Sequence, residues 1–373
     1  MKVHIERSNL WDGIHKVLNI VPTKTTIPIL SNFLLEVVKG SLTLSATDLD
    51  ISISTTVEVD TEEPGSITVP ARTFAEVIRE LPDYPLLIET GGERITISSQ
   101  TGQYTLSGLP AEDFPKLPHD VEGTTFELKG NILSRLIEKT AFAVSTDETR
   151  PCLTGVLLQI SGTKMRLIAT DGHRLAKIER ILSNPIVSDQ KAIIPPKALN
   201  HLVRLISGGE ELKQATLGEN MAVFNLGTSI LFSRLIEGPY PEVDQVIPHS
   251  NPKKVHVNKE TFSLALKRVS ILSDSFTHQI VLAIRPGSVE LSATNPEIGG
   301  EAKETVEADY TGEDLDIAYN ANYLIEVLKK MESPEVVFEL DTKTTAGVIK
   351  PLRQEEDEEY LCVVMPMRME GEI

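Results

Sequence analysis

The chain is short of the residues that mark most small-molecule chemistry. Its 373 residues hold two cysteines, one tryptophan and only 5% aromatics. Cys152 and Cys362 have no CxxC or CxxH neighbour, which excludes the usual zinc spacings; two buried free thiols in a reducing compartment are expected. No nucleophile elbow, P-loop, Gly-rich phosphate cradle or metal-spaced pair of carboxylates is present. Catalysis by the isolated chain therefore has no support, and no cofactor is expected. No apolar run approaches a membrane span, and no cationic, apolar leader opens the sequence. A cytoplasmic protein with no membrane partner is the expectation. Aromatics are also too few to build a stacking platform for single-stranded bases.

What the chain has in excess is acid: 54 Asp and Glu against 36 Lys and Arg, a formal net charge of −18. Such a balance normally counts against nucleic acid as a partner. Its distribution matters more than its sum, and the distribution follows from an internal repeat.

LTLSATDLDISIS (42–54), MRLIATDGHRLAKI (165–178) and VELSATNPEIGGEA (289–302) each alternate apolar and polar residues into A-T-D/N, then turn and resume. This is the pattern of a strand–turn–strand hairpin. Thr47, Thr170 and Thr294 stand 123 and 124 residues apart. IPILSNFLLEV (27–37) matches RPCLTGVLLQI (150–160), with HQIVLAI (278–284) as a weaker third copy. Helical spacing predicts six helices, over 7–20, 70–81, 129–145, 195–207, 258–273 and 320–332, two per copy. The fold class is α+β: three tandem copies of one domain with two helices and antiparallel sheets. Linkers rich in Pro and polar residues, 108–123 and 237–254, set domains at 1–123, 124–249 and 250–373.

The six predicted helices carry a net +7, which leaves −25 on the rest of the chain. A cationic helical face on an acidic body suits a polyanion approached from one side, through sequence-independent contacts to duplex phosphates. A domain of this size is roughly 35 Å across. Three such beads in a closed ring leave a hole of about 5 Å, and six leave about 35 Å. A duplex roughly 20 Å wide is therefore encircled by two chains and not by one. The reading that competes is a repeat scaffold for protein partners that never touches DNA.

ATDGHRLA (169–176), VPAR (69–72), GLPAEDFPKLP (108–118), RLIEGPYPEV (234–243) and MPMRM (365–369) closely resemble the bacterial DNA polymerase III beta subunit family, the replicative sliding clamps. The resemblance runs the whole length, in order. It implies a six-domain ring formed by a head-to-tail homodimer, helices inside and sheets outside. It also implies double-stranded DNA in the hole, a clamp-loader complex that opens the ring, and the polymerase III catalytic subunit tethered to it. Other polymerases and repair proteins are implied to dock through short linear motifs.

The same resemblance implies a peptide pocket between the second and third domains. Its residues are Leu153, Thr170, Gly172, His173, Arg174 and Leu175, then Pro241 and Val246, then Asn320 and Tyr323, and the tail Val363, Val364, Met365, Pro366, Met367, Arg368 and Met369. Apolar walls with a few orienting polar groups suit peptide capture, and methionine adapts to varied ligands. Gln245 and Ala346 depart from the family pattern, where Arg and Ser are common, so they are set aside; the terminal EGEI is an extension whose acids could reach the pocket mouth. DNA contacts are implied at Lys24, Arg72 and Arg150, with Lys197 on a lining helix. His173 beside Asp171 and Arg174 could suggest acid–base chemistry. Asp48 and Asn295 hold the place of Asp171 in the other copies, however, so it reads as a turn residue.

Overall fold

The computed structural model describes residues 1–118 and 121–369. All six expected helices form: α1 Arg7–Val17, α2 Ala71–Glu80, α3 Gly130–Glu138, α4 Pro196–Ser207, α5 Lys259–Ser270 and α6 Ala321–Lys330. Each buries an apolar stripe, Leu10, Gly13, Ile14 and Val17 in α1 and Phe262, Ala265, Leu266 and Val269 in α5. Asn258 and Asn320 cap α5 and α6 by accepting hydrogen bonds from first-turn amides. α3 stops seven residues before the predicted end at 145. There the Thr140 hydroxyl donates to the Leu136 carbonyl at 2.8 Å, and its φ of −124° leaves the helical path before one 3-10 turn at Ala141–Ala143.

Among the described residues the strands form four antiparallel sheets. A five-stranded sheet runs Asp60–Glu63, Lys2–Glu6, Pro85–Gly91, Arg94–Ser98, Gln103–Ser107. A four-stranded sheet runs Gly300–Glu307, Ser288–Asn295, Gln279–Arg285, Leu315–Asn320. The other two sheets each combine strands of two sequence repeats. In the eight-stranded one, Ile51–Glu58 of the first repeat pairs with Ser229–Arg234 of the second, Ile51 opposite Ser233 and Thr55 opposite Ser229. In the six-stranded one, Arg174–Ile194 of the second repeat pairs with Glu358–Val364 of the third, Arg174 opposite Val364 and Leu175 opposite Val363.

The chain therefore gathers into two compact units that cut across the repeats. One holds residues 1–134 and 197–235, the other 135–196 and 236–373. The reason is hydrogen bonding: a strand edge left open by one repeat is closed by the last strand of the next. Among the described residues no helix is long and apolar enough to cross a membrane. Cys152 and Cys362 are both free, as expected, but Cys152 is only partly buried. Burial pushes the Cys362 thiol up to about 12, so it is an inert core residue that donates to the Tyr360 hydroxyl at 3.2 Å.

Candidate functional site

The turn at Asp171–His173 is built by its own side chains. Thr170 Oγ1 accepts from the Gly172 amide at 3.1 Å and donates to the Arg174 carbonyl at 2.6 Å. Asp171 Oδ1 accepts from the His173 and Arg174 amides, both at 2.9 Å. Gly172 has φ +91°, a left-handed conformation that glycine adopts without penalty. All four acceptor and donor positions recur in the first repeat, where Thr47 and Asp48 accept from the amides of Leu49, Asp50 and Ile51 and Thr47 Oγ1 donates to the Ile51 carbonyl. Asp171 is thus a turn residue, as its repeat position predicted.

Behind the turn lies an apolar cluster. Leu153, Leu157, Ile168, Leu175, Tyr240 and Val243 pack with Ala346, Val348, Leu361 and Val363. The strand pairing brings Leu175 and Val363 together across nearly two hundred residues of sequence. Val364, a predicted pocket residue, is 0% exposed and belongs to the core. Ala346, set aside on sequence, is part of the cluster.

The rim is more open. Val246 is 60% exposed, just past the 3-10 turn Val243–Gln245 that also holds Gln245, and Pro241 is exposed as well. The tail is pinned as it leaves the sheet: the Met365 amide donates to the His173 carbonyl at 2.8 Å, and the Met367 amide to the Ala318 carbonyl at 2.7 Å. Gln279 Nε2 then donates to the Arg368 carbonyl at 2.8 Å. These bonds leave the Met365 side chain 45% exposed. Glu370–Ile373, expected near the pocket mouth, lie outside the described residues.

Arg174 organises the wall between these parts. Its guanidinium donates to Asp171 at 3.1 Å and to the Phe142 carbonyl at 3.0 Å, and it pairs with Glu326. It also lies over the Tyr323 ring, 4.7 Å from the centroid, while His173 stacks on that ring from 6.4 Å. Burial, then the nearby Asp171 carboxylate, pushes the Tyr323 phenol above its ordinary value, so the ring stays neutral. Asn320 accepts from the Asn322 and Tyr323 amides and donates to the Thr277 carbonyl at 3.1 Å. Sequence reasoning missed Tyr240 and Val243 of the cluster, although both were within reach through GPYPEV (238–243).

The residues expected at DNA are spread over both units. Lys24 and Arg72 are exposed, and Arg72 donates to the Val21 carbonyl at 3.3 Å. Arg150 pairs with Asp147 at 3.1 Å and reaches the Asp171 carbonyl at 3.4 Å, over the turn. Lys197 pairs with Asp48. Much of the helical cationic surplus is likewise engaged: Lys16 with Glu210, Arg268 with Glu304, and Arg135 and Lys139 with Glu358. Among the described residues no carboxylate pairs with Lys24, Arg72, Arg204, Lys267, Lys329 or Lys330. These six are among the cations left available to a polyanion.

Comparison with known proteins accounts for the arrangement. Residues 1–118, 127–242 and 244–368 match the N-terminal, central and C-terminal domain models of the DNA polymerase III beta subunit. The beta sliding clamp of Caulobacter vibrioides is 35% identical, with 99% of this chain and all of that protein aligned. That of Bacillus subtilis is 32% identical with the same coverage. The structure of the Pseudomonas aeruginosa sliding clamp bound to griselimycin superposes with a TM-score of 0.93 at 32% identity, over 99% of this chain and all of that one. A Caulobacter crescentus clamp with polyethylene glycol in a beta-motif tethering region gives 0.91 at 34% identity, with the same coverage. Full-length alignment, three matched domains in order and a shared fold lead to one conclusion: the chain belongs to the DNA polymerase III beta subunit family, the beta sliding clamps.

Proposed function

We propose that the apolar cluster behind Asp171–His173 and the pinned tail together form the partner-docking groove of a sliding clamp. The protein is a DNA sliding clamp, an accessory processivity subunit with no catalysis of its own. It encircles duplex DNA as a dimer and tethers the replicative polymerase and other proteins. The observation that carries the groove is the pairing of Leu175 with Val363, which closes an apolar floor beneath the exposed His173, Pro241, Val246 and Met365. Leu153, Leu175, Ala346 and Val363 supply the floor. Thr170, Gly172, Arg174, Asn320 and Tyr323 fix its walls, and Met365, Pro366, Met367, Arg368 and Met369 form its lip.

Two free sheet edges support the head-to-tail dimer. Gln103–Ser107 ends one sheet and Gly300–Glu307 another. Each of the two internal joints pairs the strand after an A-T-D turn with the last strand of the next repeat. Gly300–Glu307 is the strand after the third such turn and Gln103–Ser107 the last strand of the first repeat, so the third joint is made between chains. Tyr104 and Ile271 are exposed apolar residues in the two halves of that seam. Strands that begin at Gly123 and Lys253 support the reading of domain limits at 123 and 249. The cations without carboxylate partners, Lys24, Arg72 and Arg204 foremost, support phosphate contact, with Arg150 and Lys197 contributing once their own pairs yield. These cations count against the scaffold reading. Action in the cytoplasm follows from the family's work on bacterial DNA.

Retention on a circle tests the ring. Loaded protein should stay on nicked circular DNA and leave when the circle is linearised; equal loss from both would sink the reading. Truncation after Val364 tests the groove. It should weaken binding of polymerase-derived peptides by at least about tenfold, a loss on the order of 1.4 kcal/mol, at unchanged dimer mass. Unaltered affinity would refute the groove.

A further inference from the structure

The first and third repeats open on nearly the same strand, Lys2-Val3-His4-Ile5-Glu6 and Lys254-Val255-His256-Val257-Asn258. In both, the residues at the Val3 and Ile5 positions are buried, and the lysine and histidine point to the opposite face. His4 pairs with Asp60 across the sheet, and His256 bridges Asp309 in the same way.

Past that aspartate the two repeats part. In the first, the chain continues as the strand Asp60–Glu63 and lays Glu62 over the pair. One carboxylate oxygen is 2.7 Å from His4 Nε2 and the other 3.0 Å from Lys2 Nζ. The hydrogen bond to His4, then that to Lys2, holds the Glu62 carboxyl below its ordinary value. Glu89 adds a contact to Lys2 at 3.4 Å.

In the third repeat, Thr311 stands two residues past the bridged aspartate, where the first has Glu62. Tyr310 turns inward and donates to the Glu313 carbonyl at 2.6 Å. The segment stands away from the strand around a cavity of about 450 Å³ lined by Lys253, Lys254, His256 and Tyr310 to Glu313. Glu339 lies opposite Lys254 as Glu89 lies opposite Lys2, but Glu339 is bound to Lys350 at 3.0 Å. Lys253 is turned to the Asp341 carbonyl at 3.0 Å. Asp309 and Glu313 also line the cavity, with exposed side chains, and Glu313 lies 3.9 Å from Lys253 Nζ; among the described residues no carboxylate pairs with Lys254 or His256.

We propose that this cavity is a carboxylate-binding site, in which Lys254 and His256 receive from outside the chain the group that Glu62 supplies within the first repeat. The ligand chemistry is a carboxylate with room for a short chain behind it, carried either by a small organic acid or by an acidic side chain of a bound peptide. The groups that would hold it are a strong donor and an adaptable one on a rigid strand, and the first repeat displays the bound geometry.

Nitrogen–proton imidazole spectra of the full-length protein test this at neutral pH and constant ionic strength, with chloride as the balancing anion. Sodium acetate and an end-blocked triglutamate peptide are titrated separately. The His256 signal should shift saturably with both, and the His4 signal should not. Lys254→Ala should weaken binding about tenfold by removing one charge-assisted contact. Thr311→Glu should rebuild the first repeat's pair and abolish the shift, with the His4 signal reporting an intact fold. Triglutamate binding tenfold tighter than acetate would identify an acidic peptide as the ligand; similar affinities would identify small acids. A His256 shift that does not saturate, or that persists unchanged in Lys254→Ala and Thr311→Glu, would overturn the proposal.

Discussion

Two strand junctions in this molecule share a backbone and differ in what lines it. At both, a Thr-Asp turn leads into a strand that pairs with the last strand of the following repeat. Between the first and second repeats the lining is hydroxyl-rich. Thr47, Ser52, Thr55, Ser229 and Ser233 are all buried, with Thr47 bonded to Ser52 at 2.7 Å and Thr55 to Ser229 at 2.9 Å. Lys197 on Asp48 and Arg234 on the Leu49 carbonyl then hold the turn. Between the second and third repeats, Leu175 and Val363 take the places of Ser52 and Phe232, with Ala346 and Leu361 beside them. One junction satisfies its own polar groups and is sealed. The other presents an apolar floor that a partner can cover. The fold permits either lining at a joint, and side chains decide which one each joint has.

The joints also differ in charge. In the first, Lys16 meets a single carboxylate, Glu210. In the second, the equivalent Lys139 shares Glu358 with Arg135 and Arg180, at 2.7, 3.0 and 3.3 Å. Burial pushes the Glu358 carboxyl up, but the hydrogen bonds from Arg135 and Lys139 outweigh it and hold it below its ordinary value. The side chains of Lys139 and Glu358 are 6% and 1% exposed, so this pair has little water to fall back on.

Breaking that buried network should have the largest effect. Glu358→Ala leaves the enclosed Lys139 with only the half-exposed Glu332, 3.3 Å away, and should cost about 3 kcal/mol in denaturant unfolding; Lys16→Ala at the other joint should cost under about 1 kcal/mol. Equal losses would remove the distinction between the joints.

Acid should separate them next. His201 on α4 is 2% exposed, and neither ring nitrogen has a hydrogen-bond partner. Burial foremost, then Arg204, lowers its pKa to about 4. A histidine whose folded pKa lies below its unfolded one carries no penalty above pH 6.5. It destabilises progressively as pH falls from 6.5 to about 4, because the unfolded chain takes the proton first. The loss should approach about 3 kcal/mol at the lower limit. His201→Leu should flatten the pH dependence of unfolding across that window, and a profile parallel to the parent's would refute the assignment.

The smallest effect concerns the turns. Leu49 has φ +79° where Gly172 has +91°. Leu49→Gly should stabilise, or leave stability unchanged, within about 1 kcal/mol, whereas Gly172→Leu should destabilise by about 1–2 kcal/mol. The added Cβ would also meet Arg150 at 3.1 Å. Thermal unfolding of the two variants reads the difference, and equal shifts would show that the turns are not equivalent.

The helices were legible because each needs only a local apolar stripe, and α1 and α5 place theirs as the spacing predicts. The α3 end was not legible, since the Thr140 hydroxyl competes for a backbone carbonyl that spacing cannot see. Within the groove, TDGHRL and VVMPM were recognisable as motifs. That Val364 is enclosed while Met365 is open depends on two backbone bonds from the tail, to His173 and Ala318. Ala346 was passed over for its departure from a pattern, yet packing puts it on the floor. Cation counting predicted a polyanion-facing surface but overstated it, because pairs such as Lys197 with Asp48 join residues 149 apart.

By itself the sequence determined the three-fold repeat, the α+β class, the six helices and the family, all of which rest on periodicity and short motifs. Tertiary structure alone decided that two repeats share each large sheet, that one junction is lined by hydroxyls and the other by apolar side chains, and which lysines among the described residues meet a carboxylate. Those outcomes turn on which strand edge pairs with which, a choice between distant segments that hydrogen-bond satisfaction makes only once the chain has folded.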